Sequence, residues 1–327
     1  MPYLPLSLSS DELYGLLEDK ARGIALCNSQ RESLPAAPAQ SGFRVYAIIL
    51  FTTPDLPGIQ AVEGTNTEPL FIGGSICAER AAICKLRFFT SPQIHVVFIT
   101  SDSSVPIAPG LLCREYLVSV CMPTWSPLPC VVLGDRRGDK ITSWEIESLY
   151  PHSCLYRGVG RADLLAYGEA FVARTKLPIW RDAGMRNVYD AALAQTHRDG
   201  NQLLHPLSLS AAVLFADGSI SVAWQLKGLE YGCSLDPVSQ LINTMIASVH
   251  PPCFLVMLDQ FGIAHAPFAQ ARALLLEHGF SVAPLILVHA RDGACLAVTA
   301  DSLAPNPPGD AGTVDAHMIS SNSCSAR

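Results

Sequence analysis

One order of sequence signals runs through this chain twice, about 160 residues apart, and a repeat that long restricts the fold to a duplicated domain rather than a stack of short units. In the first copy, the apolar run 43–52 reads as a strand, with 59–64 as its antiparallel partner across the Pro54 to Gly58 turn. A helix over 77–86, a strand over 94–100, a helix over 113–120 and a strand over 130–133 follow. The second copy opens with a hairpin, 207–216 and 219–224 around Asp217-Gly218, a dipeptide suited to a type I′ turn. A helix over 237–246, a strand over 253–258, a helix over 269–278 closed by Gly279, and a strand over 282–288 complete it. Residues 8–25 form a capped first helix, 31–42 a loop, and two helical patterns, 162–174 and 187–196, separate the copies. The expected fold is a tandem pair of three-layer α/β/α domains, each a mixed sheet flanked by helices: 1–155, 156–300, and a disordered tail over 301–327 rich in Pro, Gly, Ser and Asp.

Composition narrows the function classes. The 327 residues are 49% hydrophobic, enough to build two cores. A net charge of −7 argues against nucleic acid as a partner, because such binding draws much of its affinity from Lys and Arg neutralising phosphates. Charged residues are only 16% of the chain, which points to surface buried between domains or subunits. No apolar run reaches the length of a membrane span, and Met1-Pro-Tyr-Leu-Pro lacks a basic signal-peptide start, so the expected location is cytoplasmic. Eleven cysteines, an odd number spread along the chain, read as reduced thiols rather than a disulfide framework.

Chemistry concentrates in two short segments, Cys77-Ala78-Glu79-Arg80 and Pro109-Gly110-Leu-Leu-Cys113-Arg114. A Cys, a Glu two residues on, and a later Pro-Cys-x-x-Cys make up the signature of zinc deaminases, and here only the first Cys of the second element is missing. Cys77 and Cys113 each fall where a helix is expected to begin, so exposed amides and the positive end of the helix dipole favour their metal-binding thiolate forms. Glu79 sits beside such a metal without binding it, placed to shuttle a proton, and Arg80 offsets the thiolate charge. Asn66 and Glu68, two apart at a strand end, share one side and offer a donor and an acceptor to a pair of ribose hydroxyls. Phe43 supplies an apolar wall for a flat base. His95 and His152, the histidines nearest these elements, read as strand and surface residues.

In the order and spacing of these elements, residues 1–155 resemble the cytidine deaminase family, in particular its two-domain form with a degenerate C-terminal half. Leu149-Tyr-Pro151-His-Ser153 is similar to the close of that family's domain. The resemblance implies a zinc hydrolase of pyrimidine salvage that converts free cytidine or deoxycytidine to the uridine forms. It implies Zn²⁺ held by Cys77 and Cys113, Glu79 as the catalytic proton carrier, and substrate contacts from Phe43, Asn66, Glu68 and Ala78. It also implies a homodimer. Two positions depart from the pattern: Gly110 replaces a zinc ligand, and Tyr46 stands where the family has a small Gly. Cys84, Cys121 or Cys130 as a third ligand, or a two-Cys site completed by water, would be ways to fill the set. In the second copy Gln225-Leu-Lys227, Asp236-Pro-Val-Ser239 and Pro267 through Arg272 replace the motifs, so every catalytic group is absent there. Two functions fit this pattern: a deaminase weakened at Gly110, or an inactive relative that serves as a binding or scaffold subunit.

Overall fold

Strand β1 (Val45–Thr53) is apolar on both faces because both are covered, which is why it reads as an unbroken hydrophobic run. The computed structural model describes residues 8–122, 124–125, 127–175 and 182–305. Ala47, Ile49 and Phe51 pack in the cluster that includes α3 (Ala78–Leu86) and α4 (Leu111–Val120). Tyr46, Ile48 and Leu50 face α1 (Ser10–Glu18) and α2 (Lys20–Glu32) on the other side. With β2 (Leu56–Thr65), β3 (Gln93–Ser101), β4 (Cys130–Gly134) and β5 (Ile141–Glu145), the sheet runs β2-β1-β3-β4-β5; β3 and β4 are parallel and the other pairs antiparallel. The single helix expected over 8–25 is two helices. Asp19 ends α1 and then caps α2, its carboxylate accepting from the amides of Ala21 and Arg22.

After a short α5 (Ile146–Leu149), helices α6 (Leu164–Arg174) and α7 (Ala183–Leu193) lead into the second sheet. The expected helix over 187–196 starts earlier, because the Asp182 carboxylate caps α7. Strands β6 (Leu209–Phe215), β7 (Ile220–Trp224), β8 (Pro252–Asp259), β10 (Leu285–His289) and β11 (Cys295–Val298) order as β7-β6-β8-β10-β11, with the two-residue β9 (Ala264–His265) paired to β8. Only β8 and β10 run parallel, as β3 and β4 do in the first sheet. Ala211 and Val213 pack with α8 (Pro237–Ala247) and α9 (Ala269–Glu277), while Ala212 and Val256 pack with α7. The protein therefore contains two mixed sheets of one topology, each between helical layers. Among the described residues, no helix is long and apolar enough to cross a membrane.

Small features repeat along with the topology. The bridge between Thr67 and Ile76 after β2 recurs between Leu226 and Leu235 after β7. Arg114 Nε donates to the Pro109 carbonyl at 2.7 Å, and Arg272 Nε to the Pro267 carbonyl at 2.7 Å. Both arginines also tie the halves together, where α4 packs on α9. Arg272, only 1% exposed, further donates to the carbonyls of Pro151, His152 and Leu303, and its guanidinium lies 3.8 Å from the Tyr150 ring centre. Arg114 donates to Leu149 and Pro305. Residues 301–305, expected to begin a disordered tail, are thus held in the packed structure with Leu303 fully buried; 306–327 lie outside the described residues.

One glycine sets how closely α3 approaches the sheet. A Cβ on Gly64 would lie 2.2 Å from the Ala78 carbonyl oxygen and 2.5 Å from the Ala82 nitrogen, both backbone atoms that cannot rotate aside. Gly64→Ala is expected to cost about 1–3 kcal/mol by pushing the start of α3 off β2. A lower urea midpoint with an unchanged slope checks this.

Candidate metal centre

The starts of α3 and α4 bring the motif residues together. Cys77 is the N-cap of α3, with extended backbone (φ −71°, ψ 157°) and no capping bond from its side chain. Gly110 is the N-cap of α4, so Cys113 is the third residue of the helix, within its first turn rather than opening it, and is 1% exposed. The Cys77 and Cys113 sulfurs and a Glu79 carboxylate oxygen all lie within 4.8 Å of one another. Among the described residues this is the one cluster of three His, Cys, Asp or Glu donors close enough to share an ion.

The electrostatics of the cluster follow from its packing. A hydrogen bond from the Cys113 thiol, assisted by Arg80 and opposed by burial, lowers the Cys77 pKa to about 6. The same contact, followed by burial, raises that of Cys113, so Cys113 keeps its proton and directs it toward the Cys77 sulfur. Arg80 Nη2 lies 3.7 Å from Cys77 Sγ and donates to the Ser75 carbonyl at 2.8 Å, which holds the guanidinium against the thiolate. Burial, and then the charge of Cys77, push the Glu79 carboxyl up to about 7. Glu79 is 3% exposed, and its Oε2 has no hydrogen-bond partner among the described residues.

These residues fit a zinc ion in all but one donor. Two thiols and a buried carboxylate with a free oxygen are a donor set that zinc accepts, whereas burial without an ion leaves Oε2 unsatisfied in a low-dielectric surrounding. At Gly110 an added Cβ meets nothing within 4 Å, so packing does not exclude a side chain there. None of the cysteines considered as substitutes joins the cluster. Cys84 is exposed, and the Cys121 thiol donates to the Leu117 carbonyl at 3.0 Å.

The expected ribose pair is already engaged by the chain. Asn66 Oδ1 accepts from the Val45 amide at 2.9 Å and Nδ2 donates to the Phe43 carbonyl at 2.8 Å, so Asn66 fixes the entry to β1. Glu68 accepts from the Ser41 amide at 2.8 Å and the Ser41 hydroxyl at 2.7 Å. Sequence reasoning missed Ser41, although Ser41-Gly42 is a turn signal and Gly42 adopts φ +65°. Phe43 is half-buried beside them. His95 lies 3.0 Å from the Thr52 hydroxyl, and His152 lends its carbonyl to Arg272; neither belongs to the cluster.

At the matching place in the second half, Asp236 and Lys227 serve the fold, while Gln225 Oε1 and Ser239 Oγ are buried without a hydrogen-bond partner among the described residues. Asp236 caps α8, accepting from the amides of Val238 and Ser239, where Cys77 leaves its thiol free. Lys227, in place of Glu68, donates to the His205 carbonyl at 2.9 Å and pairs with buried Asp199 at 3.0 Å. Phe268 caps α9 in place of Gly110.

The chain is similar to solved structures of cytidine deaminases. One from Burkholderia pseudomallei is 26% identical over 40% of this chain and 95% of that one, with a TM-score of 0.33. One from Mycobacterium leprae is 21% identical over 38% and 99% of the two chains, with a TM-score of 0.33. One from Mycobacterium tuberculosis is 20% identical over 39% and 99%, with a TM-score of 0.32. No protein-family model matches the chain, and no curated protein does. At TM-scores this low, function must be read from the chain's own residues.

The two N-caps make a direct contrast. Asp236→Ala removes a capping bond and is expected to cost about 1 kcal/mol. Cys77→Ala, with metal chelated, removes no capping bond and is expected to stay within about 0.5 kcal/mol of the parent chain, as read by urea denaturation.

Proposed function

We propose that this chain is a deaminase of free pyrimidine nucleosides, hydrolysing cytidine or deoxycytidine to uridine or deoxyuridine with zinc held by Cys77 and Cys113, and weakened by the missing ligand at Gly110. The observation that carries the reading is Glu79: a carboxylate only 3% exposed, with an unpartnered oxygen, beside two thiols at converging helix starts. Burying a carboxylate without a partner costs free energy, and one enclosed beside two thiols is a candidate catalytic group.

Zinc, when bound, supplies Lewis-acid activation of the attacking water. Glu79, its carboxyl pushed up to about 7 by burial, takes one proton from the attacking water at Oε2 and passes it to the ring nitrogen, then takes the second proton from the same water oxygen and passes it to the departing amine. Water and cytidine go in, uridine and ammonia come out, and the carboxyl ends as it began. The Ala78 amide, in the first turn of α3, has no partner within the helix and is available to the base. Phe43 flanks the ring. Asn66 holds the wall in place, and Glu68 takes the ribose hydroxyls by exchanging its two exposed bonds to Ser41.

The proposed organisation is a motif-bearing half, 1–155, and a degenerate half, 156–300, that supports it. The working form we propose is a cytoplasmic homodimer. Leu70, Phe71 and Leu229, on the matched loops after β2 and β7, are 97%, 76% and 86% exposed, apolar surface that an interface would cover. Free nucleosides are favoured over nucleic acid by the net charge of −7.

The second reading, an inactive relative acting as a binding or scaffold subunit, is favoured by Gly110 and by the engagement of Glu68 with Ser41. Elemental analysis with an assay of uridine release from cytidine separates the two. The deaminase reading expects about one zinc per chain and slow turnover, with turnover lost in Glu79→Gln and raised about 10- to 100-fold in Gly110→Cys. Turnover in neither the parent nor Gly110→Cys would select the inactive relative.

A further inference from the structure

The geometry points to Glu79 as the third metal donor in this chain, closing a Cys77, Cys113, Glu79 centre in place of the sulfur that Gly110 lacks, an inference that rests on the deaminase-type reading of the site. Four observations converge on it. The three donor atoms are within 4.8 Å of one another, whereas ligands on one tetrahedral zinc stand roughly 3.5–3.8 Å apart, so side-chain adjustments of about 1 Å bring them onto a common ion. Glu79 Oε2 is buried and has no hydrogen-bond partner among the described residues. No further His, Cys, Asp or Glu among the described residues reaches the cluster, so a carboxylate already beside the two thiols is the nearest donor. Finally, the charge balances. Two thiolates and a carboxylate carry the same charge as three thiolates, and Arg80, against Cys77 Sγ, offsets the excess over a divalent ion in either set.

This assignment has a chemical consequence. A carboxylate oxygen bound to a metal does not at the same time hold a transferable proton, so one side chain serves two incompatible tasks. The loss of one sulfur thereby slows proton transfer without abolishing metal binding. The change Gly110→Cys, made in space where an added Cβ meets nothing within 4 Å, returns Glu79 to a single task.

Metal binding itself, rather than turnover, tests the inference. The full chain is titrated with Co²⁺ in competition with a chelator, and the sulfur-to-cobalt charge-transfer and d–d bands are recorded for four proteins: the parent, Glu79→Gln, Gly110→Cys and the double variant. Circular dichroism melts establish that each is folded. The expected result is that Glu79→Gln weakens Co²⁺ affinity at least about tenfold in the parent background and shifts its d–d bands, but changes affinity within about twofold in the Gly110→Cys background. Equal effects of Glu79→Gln in both backgrounds, or none in either, overturn the ligand role and leave the deaminase reading standing. Binding by Gly110→Cys with none by the parent also overturns it, since Glu79 then fails to complete the site. Absence of binding in all four, Gly110→Cys included, overturns the site assignment itself.

Discussion

Everything distinctive about this protein depends on the contact between two thiols at the starts of two helices. Cys77 and Cys113 come from separate segments, and each is placed by its helix: Cys77 by being an N-cap that makes no capping bond, Cys113 by lying in the first turn beyond Gly110. The close approach of α3 to β2 at Gly64, where no side chain fits, fixes one helix. The Arg114 bonds to Pro109, Leu149 and Pro305 fix the other. With both held, the sulfurs stand close to each other and the Glu79 carboxyl is enclosed beside them. Remove either helix anchor and the buried carboxylate has no reason to be there.

The second half shows what the same fold does when the chemistry is absent. It keeps the sheet order, the bridge after the second strand and the arginine bonded to a proline five residues back, because these hold the backbone. It replaces a free thiol with Asp236, which satisfies the amides of its own helix, and a carboxylate with Lys227, which neutralises buried Asp199. Both changes give a polar side chain a partner within the fold. Glu79 is the reverse case in the first half, a polar atom kept without a partner. The comparison between halves therefore separates residues that build the domain from residues that build a site.

Much of this was legible in the sequence because it depends on local punctuation. The Asp217-Gly218 hairpin, the Pro109 and Pro267 segments ending in arginine, and the Cys77-Ala-Glu79-Arg80 helix start carry their structure in adjacent residues. What was hidden depends on partners distant in the chain or on a residue with two roles. Asp19 reads as an interior helix residue yet ends one helix and caps the next. Edge strands β5 and β11 are short and partly exposed, so their composition resembles that of loops. Leu303 is buried in the second core, with its carbonyl bonded by Arg272, 31 residues earlier. Ser41 occupies Glu68 across 27 residues, a pairing that no spacing rule foretells.

The most direct measurement of the central contact uses a trivalent arsenical, such as phenylarsine oxide, which bridges two thiols only when they are neighbours. Applied to the chelator-treated native chain and followed by peptide mass mapping, it is predicted to leave one arsenic joining the Cys77 and Cys113 peptides, with Zn²⁺ added beforehand protecting both. Arsenic found on any other cysteine pair, or Cys77 and Cys113 modified independently of each other, would contradict the account.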